Sequence, residues 1–258
     1  MQITDFAMDY FSLAGKSAIV TGGNTGLGQA FAVALAKGGA DVFVPSIVDD
    51  DGSTRRMIEA EDVRYEFVQA DITETGTPKR IVDACVEQLG SVDILINSAG
   101  VGPLAEVLEF DRTKWDPAVA VNLTAAFEMS YEVAQHMVPQ RSGKIINICS
   151  MFSFLGGRLS PAYAATKHGI AGLTKAYCDE LAMHNIQVNG IAPGYYATAI
   201  TENTRRNPET NQRVLDHIPA ERWGEPADLM GAVVFLAGRA SDYVNGHILA
   251  VDGGYLVR

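Results

Sequence analysis

A doubly wound α/β domain, with a seven-stranded parallel sheet in the order 3-2-1-4-5-6-7 and helices on both faces, is predicted by three features of this chain. Short, near-continuous apolar runs alternate with longer amphipathic stretches, the pattern of strands buried on both faces beneath crossover helices. A glycine turn, Gly22-Gly23-Asn24-Thr25-Gly26-Leu27-Gly28, joins the first apolar run to the first helical stretch, and right-handed crossovers restrict the topology. With 258 residues, 47% of them hydrophobic, the chain can bury one such core across 1–258, whereas two domains would be cramped.

The first strand is read near 17–21 from the run Ala18-Ile19-Val20, and the first helix from Gln29 to Lys37. Further strands are read near 41–46, 65–70, 92–97, 143–149, 186–192 and 247–251. Helices fill the intervals, with long ones near 112–136 and 161–184. Ser160-Pro161 offers an N-cap and a first-turn proline to the second of these, and Glu225-Pro226 opens a helix ending near Gly238. Between Ala199 and Trp223 no strong period appears, and Pro208 and Pro219 interrupt the segment. Long irregular stretches inside compact domains often serve as lids. A pair of short surface helices is the other reading, and the two are compatible.

Charge narrows the partners. The 20 Lys and Arg against 31 Asp and Glu leave a net charge of −11, so nucleic acid and anionic membrane would be repelled. The most apolar region, Ala30 to Val48, is interrupted by Lys37 and Asp41, and no basic stretch followed by an apolar one opens the chain. A cytoplasmic protein is expected. Cys85, Cys149 and Cys178 include no CxxC, and His136, His168, His184, His217 and His247 share no ligand motif. Buried free thiols and no metal site are expected.

Chemistry enters with Tyr163 and Lys167. On a helix the i,i+4 spacing puts phenol and ammonium on one face, and the ammonium favours the ionised phenol, a candidate acid/base near neutral pH. Alone, the pair also fits an ordinary surface helix. The glycine turn is its first partner: following a strand and opening a helix, it suits a pyrophosphate resting on a helix N-terminus. Asp71 follows the third strand, Asn97-Ser98-Ala99-Gly100 follows the fourth, Asn122 lies in Val121-Asn122-Leu123-Thr124, and Ser150 stands thirteen positions before Tyr163. Taken singly, Ser150 also fits a turn, with Ser153 nearby as a competing hydroxyl, and Asn122 fits a hydrogen-bonding helix residue.

Together these motifs, with Pro193 to Thr198 and Val251-Asp252-Gly253-Gly254, resemble the short-chain dehydrogenase/reductase family from Gly15 to Gly254. The resemblance implies a Rossmann fold and a nicotinamide cofactor. Tyr163 would be the general base and Ser150 would hold the reacting oxygen. Lys167 would support the phenolate and bond the nicotinamide ribose, and Asn122 would support a water-linked proton relay through a local helix distortion. Cofactor contacts are expected from Gly22, Asn24, Thr25, Gly26, Leu27, Gly28, Ser46, Asp71, Ile72, Asn97, Ala99, Gly100, Tyr163, Lys167, Pro193, Gly194 and Thr198. In the family resembled, the 199–223 region closes over the substrate. Helix and strand pairing across two twofold axes would generate a homotetramer, to which the apolar tail Tyr255, Leu256 and Val257 would contribute unless it folds back on its own subunit.

The cofactor is expected to be NAD. Ser46 departs from the acidic residue that usually meets the adenosine ribose, but no Lys or Arg lies in the glycine loop or in 41–54, and Asp49, Asp50 and Asp51 are close. Ile146 to Phe154, Ile191 to Thr198 and Ile218 to Gly224 look like the 2-deoxy-D-gluconate 3-dehydrogenases and 2-dehydro-3-deoxy-D-gluconate 5-dehydrogenases, which implies a small polyhydroxy acid as substrate. Its carboxylate needs a cation, for which Arg158, Arg205 and Arg206 are candidates. The alternatives are a dehydrogenase of another polyol or cyclic alcohol, a 3-oxoacyl-carrier-protein reductase, and a catalytically silent NAD-sensing scaffold.

Overall fold

The computed structural model describes residues 6–258; the first five positions of the predicted domain lie outside them. Seven parallel strands form one sheet: β1 (Ser17–Val20), β2 (Asp41–Ser46), β3 (Tyr65–Gln69), β4 (Ile94–Asn97), β5 (Gly143–Ile148), β6 (Ile186–Pro193) and β7 (Ile248–Val251). Their order, β3-β2-β1-β4-β5-β6-β7, is the predicted one. Alternation of side chains sets the two faces. Ala18 and Val20 of β1 join Ile94 and Ile96 of β4 in one apolar cluster, while Ile19 and Leu95 between them join the other.

Helices α1 (Gly26–Lys37) and α9 (Ala227–Ala237) cover the first face with Phe31, Leu35, Leu229 and Val233. On the second face lie α3 (Thr77–Leu89), α5 (Ala125–Gln140) and α6 (Pro161–Leu181), which contribute Ile81, Met129, Met137 and Leu181. A short α2 (Ser53–Glu59) precedes β3, and α4 (Arg112–Val119) precedes α5. Among the described residues no helix is long and apolar enough to cross a membrane.

Two local expectations change and a third is met. The first helix starts at Gly26, so the glycine turn is itself the helix N-terminus. Ser160 makes no side-chain cap bond to α6; Pro161, which has no N–H to satisfy, fills the first turn, and the helix's first bond runs from Ala164 N–H to the Ser160 carbonyl at 3.0 Å. The local distortion that the family resemblance implied at Asn122 is a π-helical turn, Ala120–Thr124, which joins α4 to α5 within the long helix expected near 112–136. The 199–223 segment forms α7 (Glu202–Arg206) and α8 (Pro208–Leu215). Its far end is clasped by Arg222 on Asp228 at 2.7 Å, a contact that holds the Asp228 carboxyl down at about 2, mainly through the hydrogen bond itself.

Candidate active site

The strands' carboxyl ends gather the predicted residues at one edge of the sheet. Gly22 leaves β1 with φ +65°, a conformation favouring glycine, and its N–H donates to Pro45 O at 2.8 Å. Gly28 is fixed by closeness: a Cβ there would lie 2.3 Å from Gly22 O. Thr25 is exposed and caps α1 with no side-chain bond, so first-turn N–H donors remain for an anion. A Cβ on Gly26 would meet nothing within 4 Å. This open, donor-rich turn fits the pyrophosphate of a dinucleotide.

Asn24 and Leu27 brace the turn. Asn24 Nδ2 donates to Val48 O at 2.9 Å and Asp49 O at 3.2 Å, tying the turn to the segment after β2, and Leu27 packs on the core. At the end of β2, Ser46 is buried and its Oγ accepts from Val48 N–H at 3.1 Å. Asp71 accepts from Thr73 N–H and Oγ1–H at 2.9 and 2.7 Å, bonds that lower its pKa, the hydroxyl contributing most. Ile72 beside it is buried.

Asn97 ends β4. Its side chain points beneath the sheet's edge, where Nδ2 donates to Asn147 Oδ1 at 2.8 Å and Ser130 Oγ at 3.0 Å, while its buried Oδ1 has no partner among the described residues. The direction follows from a buried polar row in which Asn147 Nδ2 donates onward to Thr174 Oγ1 at 2.9 Å. The Ser98 and Ala99 N–H groups both donate to Thr21 Oγ1 at 3.0 Å, which pins this loop to the glycine turn.

Tyr163 and Lys167 lie in the opening turns of α6, with Lys167 Nζ 5.4 Å from the Tyr163 ring centre. Lys167 is 5% exposed, and Nζ donates to Ile148 O at 2.6 Å. The phenol ring is framed by Phe152, edge-on at 6.0 Å, and by Gly102, where a Cβ would lie 3.5 Å from Cδ2. Gly100 sits between Asn122 and Lys167: a Cβ there would be 3.3 Å from Asn122 Oδ1 and 3.9 Å from Lys167 Nζ.

Ser150 follows β5 and caps the short turn Met151–Ser153, accepting from Phe152 N–H at 3.2 Å. The turn role and a functional one coexist, because the hydroxyl proton is left free to donate. Ser153 has no such freedom: its Oγ donates to Lys167 O at 2.7 Å and accepts from Ser150 N–H at 3.2 Å. Asn122, in the π-helical turn, accepts from Val101 N–H and donates to Val101 O, both at 2.8 Å, and donates to Thr166 Oγ1 at 3.1 Å. That amide couples the 101 loop to α6. The neighbouring Cys149 thiol is pushed up to about 11 by burial, which leaves it inert. Among the described residues no three His, Cys, Asp or Glu side chains gather as metal ligands.

From β6 the chain passes through Pro193 and Gly194, whose N–H donates to Val251 O at 3.0 Å, to Thr198 at the base of the α7 segment. Of the candidate cations, Arg158 is exposed, Arg206 pairs with Glu202 at 2.5 Å, and Arg205 binds Thr198 O at 3.0 Å. Sequence reasoning missed Arg55 and Arg56, which begin one residue beyond the 41–54 window. Arg55 is taken by Glu59 at 3.0 Å and by the Tyr65 ring at 4.8 Å, while Arg56 Nη1 would stand 3.2 Å from a Cβ on Gly52.

A parallel doubly wound sheet with a dinucleotide turn and a Tyr-Lys pair at its carboxyl edge defines a nicotinamide-dependent dehydrogenase. Residues 16–209 match the family described as short chain dehydrogenase, and the chain belongs to that family. It is 68% identical to the uncharacterized oxidoreductase YgcW of Escherichia coli strain K12 over 98% of this chain and 97% of the relative. Identity to a 2-dehydro-3-deoxy-D-gluconate 5-dehydrogenase of the same organism is 45%, over 96% of this chain and 98% of the relative. A crystal structure of a gluconate 5-dehydrogenase from Burkholderia cenocepacia J2315, in complex with NADP and tartrate, superposes with a TM-score of 0.91 at 35% identity, covering 98% of this chain and all of that one.

Proposed function

We propose that this chain interconverts a secondary hydroxyl and a ketone on a sugar acid, with 2-dehydro-3-deoxy-D-gluconate or 2-deoxy-D-gluconate as first candidates. The observation that carries the reading is the near full-length 45% identity to an enzyme named for a substrate of this kind. In the oxidation direction Tyr163 takes the alcohol proton, Ser150 Oγ–H holds the reacting oxygen, and buried Lys167 supports the phenolate. The bound nicotinamide supplies hydride acceptance at its C4. Because the Asn122 amide is committed to Val101 and Thr166, a water-linked relay at this position passes a main-chain group instead. The 199–223 segment acts as the substrate lid. Turnover of these sugar acids, against neutral polyols and acyl thioesters, tests the reading, and activity confined to the thioesters would replace it with the carrier-protein reductase alternative.

NAD is the proposed physiological cofactor. Asp49, Asp50 and Asp51 follow β2 closely, and Arg55 is already paired, so a 2′-phosphate would meet net negative charge. NADP is the second reading, favoured by the NADP in the Burkholderia structure and by Arg56. Comparing kcat/KM for the two cofactors decides between them. With NAD preferred, Ser46→Arg moves the preference toward NADP by at least about tenfold, the worth of a charge-assisted phosphate bond.

A homotetramer is proposed as the working assembly, supported by exposed Phe127 and Tyr131 on α5. Tyr255 folds back on its own subunit, its ring 5.5 Å from Tyr195 and 6.1 Å from His217, while Val257 remains exposed. Light scattering at micromolar concentration is expected to give four times the chain mass, and deletion of Tyr255 to Arg258 to weaken the assembly. A fully active monomer would refute the proposal without touching the catalytic assignment.

A further inference from the structure

Among the described residues, Arg205 is the lid's partly buried arginine without a carboxylate partner. Elsewhere in the lid, Arg206 pairs with Glu202 at 2.5 Å and Arg222 with Asp228 at 2.7 Å. Arg205 has no carboxylate within ion-pair distance among the described residues, although acidic residues outnumber basic ones by 31 to 20. It is also partly buried, whereas Arg158 and Arg213 are exposed and need no counter-ion beyond water. Its guanidinium is held in place: Nε faces Thr201 Oγ1 at 3.4 Å and one terminal nitrogen donates to Thr198 O at 3.0 Å. The other terminal nitrogen, Nη1, has no protein acceptor among the described residues.

A guanidinium drawn partly out of water and lacking an anion is costly unless a ligand supplies one. Its place in the fold says which ligand. β5 and β6 run side by side in register at Ile148 and Ile191, so Ser150, two residues past the end of that pairing, lies alongside the segment from Pro193 to Thr198. Arg205 is anchored to the end of this segment, at Thr198, where the lid begins. A sugar acid with its reacting carbon near Ser150 and Tyr163 carries its carboxylate at the far end of a short carbon chain.

We infer that Arg205 binds the substrate carboxylate, and that its bonds to Thr198 and Thr201 preset the fork for that contact. This rests on the sugar-acid reading. It makes Arg205 the residue that selects acids over the equivalent neutral polyols, and it couples acid binding to the ordering of the lid's first turn.

The test compares Arg205→Gln and Arg205→Lys with the unaltered enzyme on 2-dehydro-3-deoxy-D-gluconate, on D-gluconate, and on neutral D-sorbitol, by turnover or by competitive inhibition. Cofactor affinity is titrated in parallel. The expected result is a fall of at least about tenfold in the acid-to-polyol preference for Arg205→Gln, the worth of one charge-assisted bond. It is carried by KM more than kcat and partly restored in Arg205→Lys. If the Gln variant does not fold, the Lys variant alone must show a smaller loss of the same kind. A preference for acids that survives both substitutions overturns the assignment while leaving the sugar-acid reading intact. Loss of cofactor affinity as large as the loss of acid affinity overturns it too, by giving the cation to the cofactor. No acid preference in the unaltered enzyme overturns both.

Discussion

Tyr163→Phe is expected to lower turnover by about 10²–10⁴-fold, the range associated with a lost general acid or base. The change removes one oxygen and keeps the ring, so the packing against Phe152 and Gly102 persists. Cofactor titration should therefore shift little, and the loss should appear in kcat rather than KM. Steady-state kinetics with a fluorescence titration of the reduced cofactor makes the comparison. Turnover within tenfold of the unaltered enzyme would remove Tyr163 from the chemistry.

Lys167→Ala is expected to be as severe and to act on more than one property. The ammonium is buried between Ile148 O, at 2.6 Å, and the Tyr163 ring. Its loss withdraws positive charge from beside the phenol and also leaves the Ile148 carbonyl without its donor. The first effect lowers turnover by at least about 10²-fold. The second costs about 1–3 kcal/mol of stability, the usual penalty for stranding a buried acceptor. Weaker cofactor binding should accompany both, since the same nitrogen is assigned to the ribose. Denaturant unfolding separates the stability loss from the catalytic one, and a destabilised variant with normal turnover would show Lys167 to be structural only.

Tyr163 and Lys167 are legible in the sequence because their geometry is local. An i,i+4 pair on a helix places itself, and a glycine turn between an apolar strand and a helix announces close backbone approach, here the 2.3 Å that a Cβ on Gly28 would face. Ser160 misleads for the opposite reason. Its type and its place before Pro161 suit a cap, yet its backbone, at φ −139° and ψ 50°, leaves the side chain without a capping bond. Asn97 is legible in part: position after a strand gives its place at the sheet's edge, but the row through Asn147 and Thr174 decides its direction.

Strand order, the glycine turn and the Tyr163-Lys167 pair are legible in the sequence because apolar periodicity, turn chemistry and helical spacing act over a few residues and right-handed crossovers leave few topologies; the family was legible only through the resemblance of its motifs taken together. The tertiary structure was needed to show which of two neighbouring serines keeps a free hydroxyl proton, which way Asn97 turns, and which partly buried lid arginine lacks a carboxylate partner. Each of these depends on groups distant in sequence competing for the same hydrogen bonds. Ser153 is bound by a carbonyl from α6, and Asn97 by α5 and β5. Such a competition is settled only when the elements that carry the donors and acceptors have been packed together.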